Sequence, residues 1–131
     1  MVNKVVARFL DGRVVKGTSL DVDADKPKCH VITRDQGIVE VQLAHLKALF
    51  FVKDLEGNPD HQEGQTVDPA DPRARSAKRL DILFQDGERL VALAMSYSPK
   101  RPFFFVLPVD PASNNVRILV NRAAAKSVSL S

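Results

Sequence analysis

The chain has 131 residues, of which 44% are hydrophobic, and a net charge of +3 at neutral pH. This length fits one compact domain, or two very small ones that gain stability by packing together. A single cysteine excludes an internal disulfide, and no apolar run approaches the roughly 18 residues that a membrane span needs. The N-terminus lacks the apolar segment of a signal peptide, so we expect a cytoplasmic protein.

A motif near the N-terminus returns in the second half of the chain. KVVARFLDGRVVKG (4–17) and KRLDILFQDGERLVA (78–92) both alternate apolar and polar residues on either side of an Asp-Gly pair. Asp-Gly between alternating runs indicates a β-hairpin, because glycine adopts the positive φ of a tight primed turn. We therefore expect one small β-unit that is present twice.

Strand patterns follow in the same order in both copies. In the first copy Gly17 suggests a bulge or bend, and residues 44–48 are too short for a stable α-helix and predict a single helical or 3₁₀ turn. The predicted strands of the first copy cover 4–10, 13–22, 29–33, 38–43 and 49–55. Those of the second copy cover 79–84, 88–97, 103–109, 116–120 and 128–130, with an offset that grows from 75 to 78 residues.

The segment between the copies is rich in proline and acidic residues and has almost nothing to bury, which is typical of a solvated linker. We therefore predict an all-β chain of two tandem five-stranded barrels, similar to the Src-homology-three-like or Sm-like barrels. They are related by internal duplication and packed together. The first barrel spans 1–57, the linker 58–78 and the second barrel 79–131.

Candidates for metal binding and catalysis are few. Cys29 and His30 are adjacent in a predicted strand and point to opposite faces, while His45 and His61 lie in a turn and in the linker. The paired spacing of a zinc site is missing. Three aspartates near the end of the second strand, at positions 21, 23 and 25, lack the pattern of a calcium loop. We therefore expect no metal, no cofactor and no catalytic site.

Five of the seven phenylalanines form two clusters, Phe50-Phe51 and Phe103-Phe104-Phe105. Consecutive strand residues face opposite sides, so these rings cannot all enter one core. At least Phe50 or Phe51, and either Phe104 alone or both of its neighbours in the second cluster, must face outward. Rings that face outward form base-stacking platforms or protein interfaces. The neighbouring residues are apolar, so we predict an interface through Phe51 and Phe104, either between the two copies or with a second chain.

Basic residues around the start of the second copy suggest a different ligand. Residues 79–131 carry seven basic and four acidic groups, a modest excess. Arg75 and Arg79 form an RxxxR motif that resembles the arginine motif of PilZ domains, which bind cyclic di-GMP, although the matching D/N-x-S-x-x-G motif is incomplete around Ser96. The candidate phosphate-binding residues are Arg73, Arg75, Lys78, Arg79, Lys100 and Arg101.

The strings KVVARFLDGRVVKG and VEVQLAHLKALFFVKDLEG resemble a family of small uncharacterised bacterial proteins, some of which are grouped near PilZ proteins. The resemblance covers residues 4–57 well and the second copy more loosely. It implies a bacterial origin and a barrel-like fold, and it brings no catalytic residues. We therefore expect a non-enzymatic interaction or regulatory module that binds a protein partner or forms a homo-oligomer. The alternative is a binder of RNA or a cyclic dinucleotide.

Overall fold

A computed structural model describes residues 3–35, 37–57, 62, 64, 69–95 and 97–130, and over these residues the chain is all-β, as predicted. Short 3₁₀ turns lie at Leu43–His45, Pro72–Arg75 and Arg122–Ala124. No helix among the described residues is long and apolar enough to cross a membrane. The strands are β1 (Asn3–Phe9), β2 (Val14–Ser19), β3 (Lys28–Thr33), β4 (Gly37–Gln42), β5 (Leu46–Val52), β6 (Lys78–Phe84), β7 (Arg89–Ala94), β8 (Phe103–Pro108), β9 (Asn115–Asn121) and β10 (Ala125–Leu130).

The two Asp-Gly hairpins form as expected, but their turn type differs from the prediction. The amide of Gly12 donates to the carbonyl of Phe9 at 3.1 Å, and Gly12 has a φ of 93°. Among the described residues, only glycines have positive φ. This is a type I turn followed by a left-handed glycine, so the predicted two-residue primed turn is wrong. Asp11 accepts a hydrogen bond from the backbone amide of Arg13, and this bond stabilises the longer loop.

All ten strands belong to one antiparallel sheet, in the order β10-β6-β7-β8-β9-β5-β1-β2-β3-β4. The first half contributes β5-β1-β2-β3-β4 and the second half β10-β6-β7-β8-β9, so both halves have the same internal strand order. They meet where β5 pairs with β9. Over the described residues the sheet is open, and it does not confirm the finer prediction of two separate barrels.

The strand registers of the two halves also match. Residues of β1 to β3 correspond to residues 75 positions later, and residues of β4 and β5 to residues 79 positions later. In each half the register shifts once in the ladder between the first and the fifth strand. The shift lies beside Lys47 in the first half and beside Lys126 in the second. The matched pairs are Val5–Gly17 with Leu80–Ala92, Thr18–Ile32 with Leu93–Leu107, Val31–Val39 with Val106–Ile118, and Phe9–Leu46 with Phe84–Ala125.

The sheet is buried on both faces where the halves meet. Phe51 and Phe104 are each only 3% exposed, and they lie in different hydrophobic cores, the first core and the second core of the chain. The ring of Phe105 crosses from the second half to pack edge-to-face on Phe51, with centroids 5.9 Å apart. Phe50 from the first half packs against the second core. Phe51 and Phe104 therefore face cores inside the chain and are closed to a second chain. Of the two predicted alternatives, the contact of Phe105 with Phe51 fits an interface between the two copies.

Of the two features predicted for Gly17, a bulge or a bend, the structure shows no bulge. The pairing of Gly17 with Val5 is in regular register. A Cβ atom at this position would lie 2.2 Å from the carbonyl oxygen of Ile32, so the backbones of β2 and β3 approach too closely for a side chain. The glycine thus permits the sheet to fold tightly over the first core.

Part of the predicted linker is ordered. Pro72–Arg75 forms a 3₁₀ turn, and the carboxylate of Asp71 accepts a hydrogen bond from the backbone amide of Arg73 at its start. The guanidinium of Arg73 donates to the carbonyl of Pro108, at the end of β8, at 3.0 Å. This turn is therefore attached to the second half. Residues 58–61, 63 and 65–68 of the predicted linker lie outside the described residues.

Candidate functional site

The basic residues singled out from the sequence are not brought to one place. Arg73 lies at the Pro108 end of β8, where it is also held by the Asp71 carboxylate at 2.7 Å. Arg101 precedes the opposite end of β8, and its guanidinium lies 3.6 Å from the carboxylate of Asp25 in the first half. The six-residue strand between them spans about 16 Å. The structure therefore divides the predicted phosphate-binding set into two groups.

Within the group at the start of the second half, the residues differ in exposure. Arg75 and Lys78 are exposed, whereas Arg79 is partly buried at the start of β6. Lys100 is exposed and belongs to the other group, in the loop before β8. Arg75 and Arg79 do lie close in sequence, but the backbone passes from a 3₁₀ turn into a strand between them.

Cys29 lies in the first core and is completely buried. Burial, followed by the nearby Asp21 carboxylate, raises the pKa of its thiol to about 11. The reactive thiolate is therefore scarce at neutral pH, and Cys29 serves as a small apolar core residue.

A histidine–aspartate pair lies on the surface, with His30 next to Cys29 in β3. Nδ1 of His30 is 2.6 Å from the carboxylate of Asp21, and this hydrogen bond is the main reason that the pKa of Asp21 is lowered. The hydroxyl of Ser19 donates to the same carboxylate at 3.1 Å. Since Ser19 contacts the aspartate and not the imidazole, the pair does not activate it as a nucleophile.

The other aspartates considered as cation ligands point to different partners. Asp23 accepts a hydrogen bond from the amide of Asp25 and thereby stabilises the loop, while Asp25 pairs with Arg101. His45 is exposed in the first 3₁₀ turn, and the prediction for His61 lies outside the described residues. In the part of the chain that the structure describes, no three potential metal ligands cluster.

The most distinctive surface feature is a groove between the two halves, which we call the inter-half groove. It has a volume of about 320 Å³, which is near the lower end of ligand pockets. One wall is the outer face of β1, β2 and β5, and the other begins at the β6–β7 hairpin. Its lining residues are Val6, Arg8, Lys16, Phe50, Val52, Leu55, Glu56, Gly57, Gly64, Glu88, Arg89, Leu90, Val91, Asn114 and Asn115.

The floor of the inter-half groove is apolar because of strand register. Val6 pairs with Lys16 on one side and with Phe50 on the other, so these three side chains share one face of the sheet. Val6 is 8% exposed and Phe50 is partly buried. Leu90 contributes from the second half and also packs against the second core. The floor is therefore a continuation of the second core that reaches the surface.

The rim of the groove carries basic side chains. Arg8 is exposed, and its guanidinium carbon lies 5.5 Å from the centre of the Phe50 ring. Lys16 is exposed on the adjacent strand, where it pairs with Val6, two residues from Arg8. Neither of them forms an ion pair with a carboxylate in the described portion of the chain. Arg89, in contrast, is paired with Asp81 at 3.1 Å.

Two carboxylates, those of Glu56 and Glu88, offset the positive charge of this rim only in part. The carboxylate of Glu88 lies 3.2 Å from Nζ of Lys47, which is itself 8% exposed and also contacts Asp86 at 2.8 Å. Lys47 therefore holds the β6–β7 hairpin against the first half and shapes the groove. Glu56 is exposed at the groove wall. The cationic side, with Arg8 and Lys16, is thus available to a carboxylate-bearing ligand.

Sequence reasoning missed this groove, although a signal for it was present. The alternation in β1 places Lys4, Val6 and Arg8 on the face opposite the core residues, so an apolar residue between two cations was visible. What could not be read from the sequence is that β5 pairs with β9. That pairing brings the β6–β7 hairpin across this face.

No curated protein and no solved structure matches the chain significantly. A family model does match, and it covers residues 1–131, the whole length of the sequence. This agrees with the resemblance to an uncharacterised family. The chain therefore belongs to DUF6982, a family of unknown function.

Proposed function

We propose that this protein is a non-enzymatic interaction module, and that the inter-half groove binds an extended, acidic and apolar segment of a protein partner. The observation that carries the proposal is the combination of an apolar floor with two cations, Arg8 and Lys16, that lack carboxylate partners among the described residues. Apolar side chains of the segment would cover Val6 and Phe50. Its carboxylates would meet the basic rim, which favours fast and selective association.

The composition of the groove favours a peptide over a nucleic acid. Binding of single-stranded nucleic acid relies on several stacking rings beside a continuous basic track. Here one ring, Phe50, is partly covered by Arg8, and the carboxylates of Glu56 and Glu88 line the same groove. A rim of mixed charge around an apolar floor is the usual composition of a protein interface. Binding of RNA or cyclic di-GMP is the alternative.

We also propose that the halves are two copies of one five-stranded, barrel-like unit. The equal strand order and the constant offsets of 75 and 79 residues support this view, because independent halves would not reproduce every ladder. The four-residue difference lies in the loop between the third and fourth strands, which is longer in the second half.

The binding proposal is tested with peptides selected against the protein from a random library. We expect selected peptides to be rich in acidic and apolar residues. The double variant R8E/K16E should weaken their binding at least tenfold in fluorescence anisotropy, which corresponds to about 1.4 kcal/mol. K26E is the matched control, since Lys26 is an exposed cation in the β2–β3 loop, away from the groove lining.

Equal binding by R8E/K16E and the wild-type protein would reject the groove as the site. Calorimetry with cyclic di-GMP and a gel shift with single-stranded RNA at two salt concentrations test the alternative. Phosphate binding weakens steeply with salt. Salt-sensitive RNA binding that competes with the selected peptides would favour a nucleic-acid function for the same groove.

A further inference from the structure

Two strand edges of the sheet carry no ladder within the described chain: the outer edge of β4 and the outer edge of β10. In the first half β4 is the fourth strand, and its counterpart in the second half is β9. In the second half β10 is the fifth strand, and its counterpart in the first half is β5. The junction of the two halves pairs β9 with β5. The two open edges, on β4 and β10, therefore correspond to the edges of β9 and β5 that pair with each other inside the chain.

We propose that copies of this chain associate head to tail, with β10 of one copy paired to β4 of the next in the register of the β5–β9 junction. The junction pairs Ala48 with Val120, Phe50 with Ile118 and Phe51 with Arg117. Subtracting 79 from a residue number in β9 gives the corresponding residue of β4, and adding 79 to a residue number in β5 gives the corresponding residue of β10. This correspondence gives the register between copies. Ser127 then lies opposite Val41, Ser129 opposite Val39, and Leu130 opposite Ile38.

This register brings exposed apolar residues together. Ile38 is 70% exposed and Leu130 is 52% exposed in the single chain, and each lies on one of the two open edges. Ile32, which is 46% exposed, is the cross-strand neighbour of Ile38. In the proposed pairing Leu130 completes a cluster with these two side chains. A shift by one residue would turn Leu130 to the opposite face.

The ion pair at the existing junction also has a counterpart at the open ends. Inside the chain, Nζ of Lys47 reaches the Asp86 carboxylate in the β6–β7 turn at 2.8 Å. Lys126 occupies the position of Lys47 in the second half, beside the same ladder irregularity, and it is exposed. Asp11 occupies the position of Asp86 in the β1–β2 turn. The proposed pairing therefore places Lys126 of one copy near Asp11 of the next, whose carboxylate is also paired with Arg13 of its own chain at 2.8 Å.

A third correspondence is an amide side chain. Asn121 donates from its side chain to the carbonyl of Leu46 across the junction at 2.8 Å. Gln42 takes the position of Asn121 in the first half, and Ala125 takes that of Leu46. Gln42 can thus repeat this hydrogen bond to the carbonyl of Ala125 in the preceding copy.

The open edges are more polar than the junction, so we expect the association between copies to be weaker than the pairing of the two halves. The positions of Ala48 and Phe50 are taken by serines at 127 and 129 in β10. The positions of Phe103, Phe105 and Leu119 are taken by Lys28, His30 and Glu40. Polar edges limit uncontrolled pairing. We therefore expect a reversible, concentration-dependent contact, and because head-to-tail contacts repeat, the products are rings or chains of copies.

Association is tested on the full chain by light scattering and by cysteine pairing. Directly opposed residues in an antiparallel pair have Cα atoms about 4.5–5.5 Å apart, which suits a disulfide. We expect an equimolar mixture of I38C and L130C chains to form mixed disulfide dimers under mild oxidation. The double variant I38C/L130C should form a ladder of larger products. V14C with L130C is the matched control, since Val14 is 47% exposed but lies on β2.

Charge variants provide a second measurement that does not depend on the cysteines. K126E should weaken association at least tenfold, and adding D11K to K126E should restore it. A protein that stays at 14.5 kDa at every soluble concentration, or mixed I38C–L130C dimers no more abundant than in the V14C control, would overturn the proposal. Because none of these residues lines the inter-half groove, such a result would leave the peptide-binding proposal standing, and the R8E/K16E result tests that proposal separately.

Discussion

Replacing Phe104 with alanine should destabilise the protein strongly, because its ring is a centre of the second core. Phe104 is 3% exposed, and Tyr97 packs edge-to-face on it with ring centroids 5.4 Å apart. The guanidinium carbon of Arg122 lies 4.7 Å from the centre of the same ring. Removing a buried phenylalanine side chain costs about 3–5 kcal/mol. The aromatic contact and the stacked cation place F104A near the upper end of this range.

A loss of this size is a large fraction of the roughly 5–15 kcal/mol that stabilises a typical domain. Urea unfolding followed by circular dichroism measures it as a lower midpoint with an unchanged slope. F104L keeps most of the volume and should cost no more than about 1.5 kcal/mol, which remains measurable if F104A does not fold. M95A serves as the control, since Met95 is 56% exposed.

The reasoning would be refuted if F104A unfolded at the same urea concentration as M95A. Such a result would mean that the ring of Phe104 faces solvent. Phe51 in the first core offers an independent repeat of the experiment, because it has the same exposure and lies on the other half.

Three further predictions concern single sites. G17A should lower the free energy of unfolding by about 2–3 kcal/mol in urea titrations, because its Cβ would lie 2.2 Å from the Ile32 carbonyl oxygen. The hydrogen bond from Lys47 lowers the pKa of Asp86 in the folded protein below its ordinary value of 3.8. Ionised Asp86 therefore stabilises the fold fully above pH 3.8, and this contribution is lost as the pH falls through the lower pKa of the folded state. D86N should therefore show a smaller loss of stability than the wild type between about pH 5 and pH 3. Cys29, whose pKa is raised to about 11 by burial, should resist thiol reagents at pH 8 until urea unfolds the chain.

Each of these predictions has a contradicting outcome. An unchanged midpoint for G17A would show that β2 and β3 separate more easily than their close contact indicates. Equal acid sensitivity of D86N and the wild type would show that the Lys47–Asp86 pair contributes little. Rapid labelling of Cys29 in the native protein would show that the first core opens to solvent.

Local features of the fold could be predicted from the sequence. Asp-Gly pairs at 11–12 and 86–87 identify the hairpins because glycine is needed for the positive φ. The alternation in β4 identifies a strand with one buried face. Even the single turn at Leu43–His45 follows from a helical pattern that is too short to persist.

The junction could not be predicted, because it depends on a pairing between residues about 70 positions apart. The phenylalanine clusters indicate strands with two apolar faces, but they do not show whether the second face meets the other half of the chain or a second chain. In the structure, Phe50 and Phe51 belong to a strand that is central to a sheet and is buried on both sides. A short apolar run does not distinguish these two situations. The inter-half groove depends on the same pairing, so it was missed for the same reason.

The central claim is that β5 and β9 join the halves into one sheet, and nuclear Overhauser contacts between backbone protons test it most directly. In the isotope-labelled protein we expect cross-strand contacts that link Ala48 with Val120 and Phe50 with Ile118. Contacts from β5 to β4 in their place, without any to β9, would show two separately closed barrels. That result would contradict the shared sheet, the inter-half groove and the proposed assembly together.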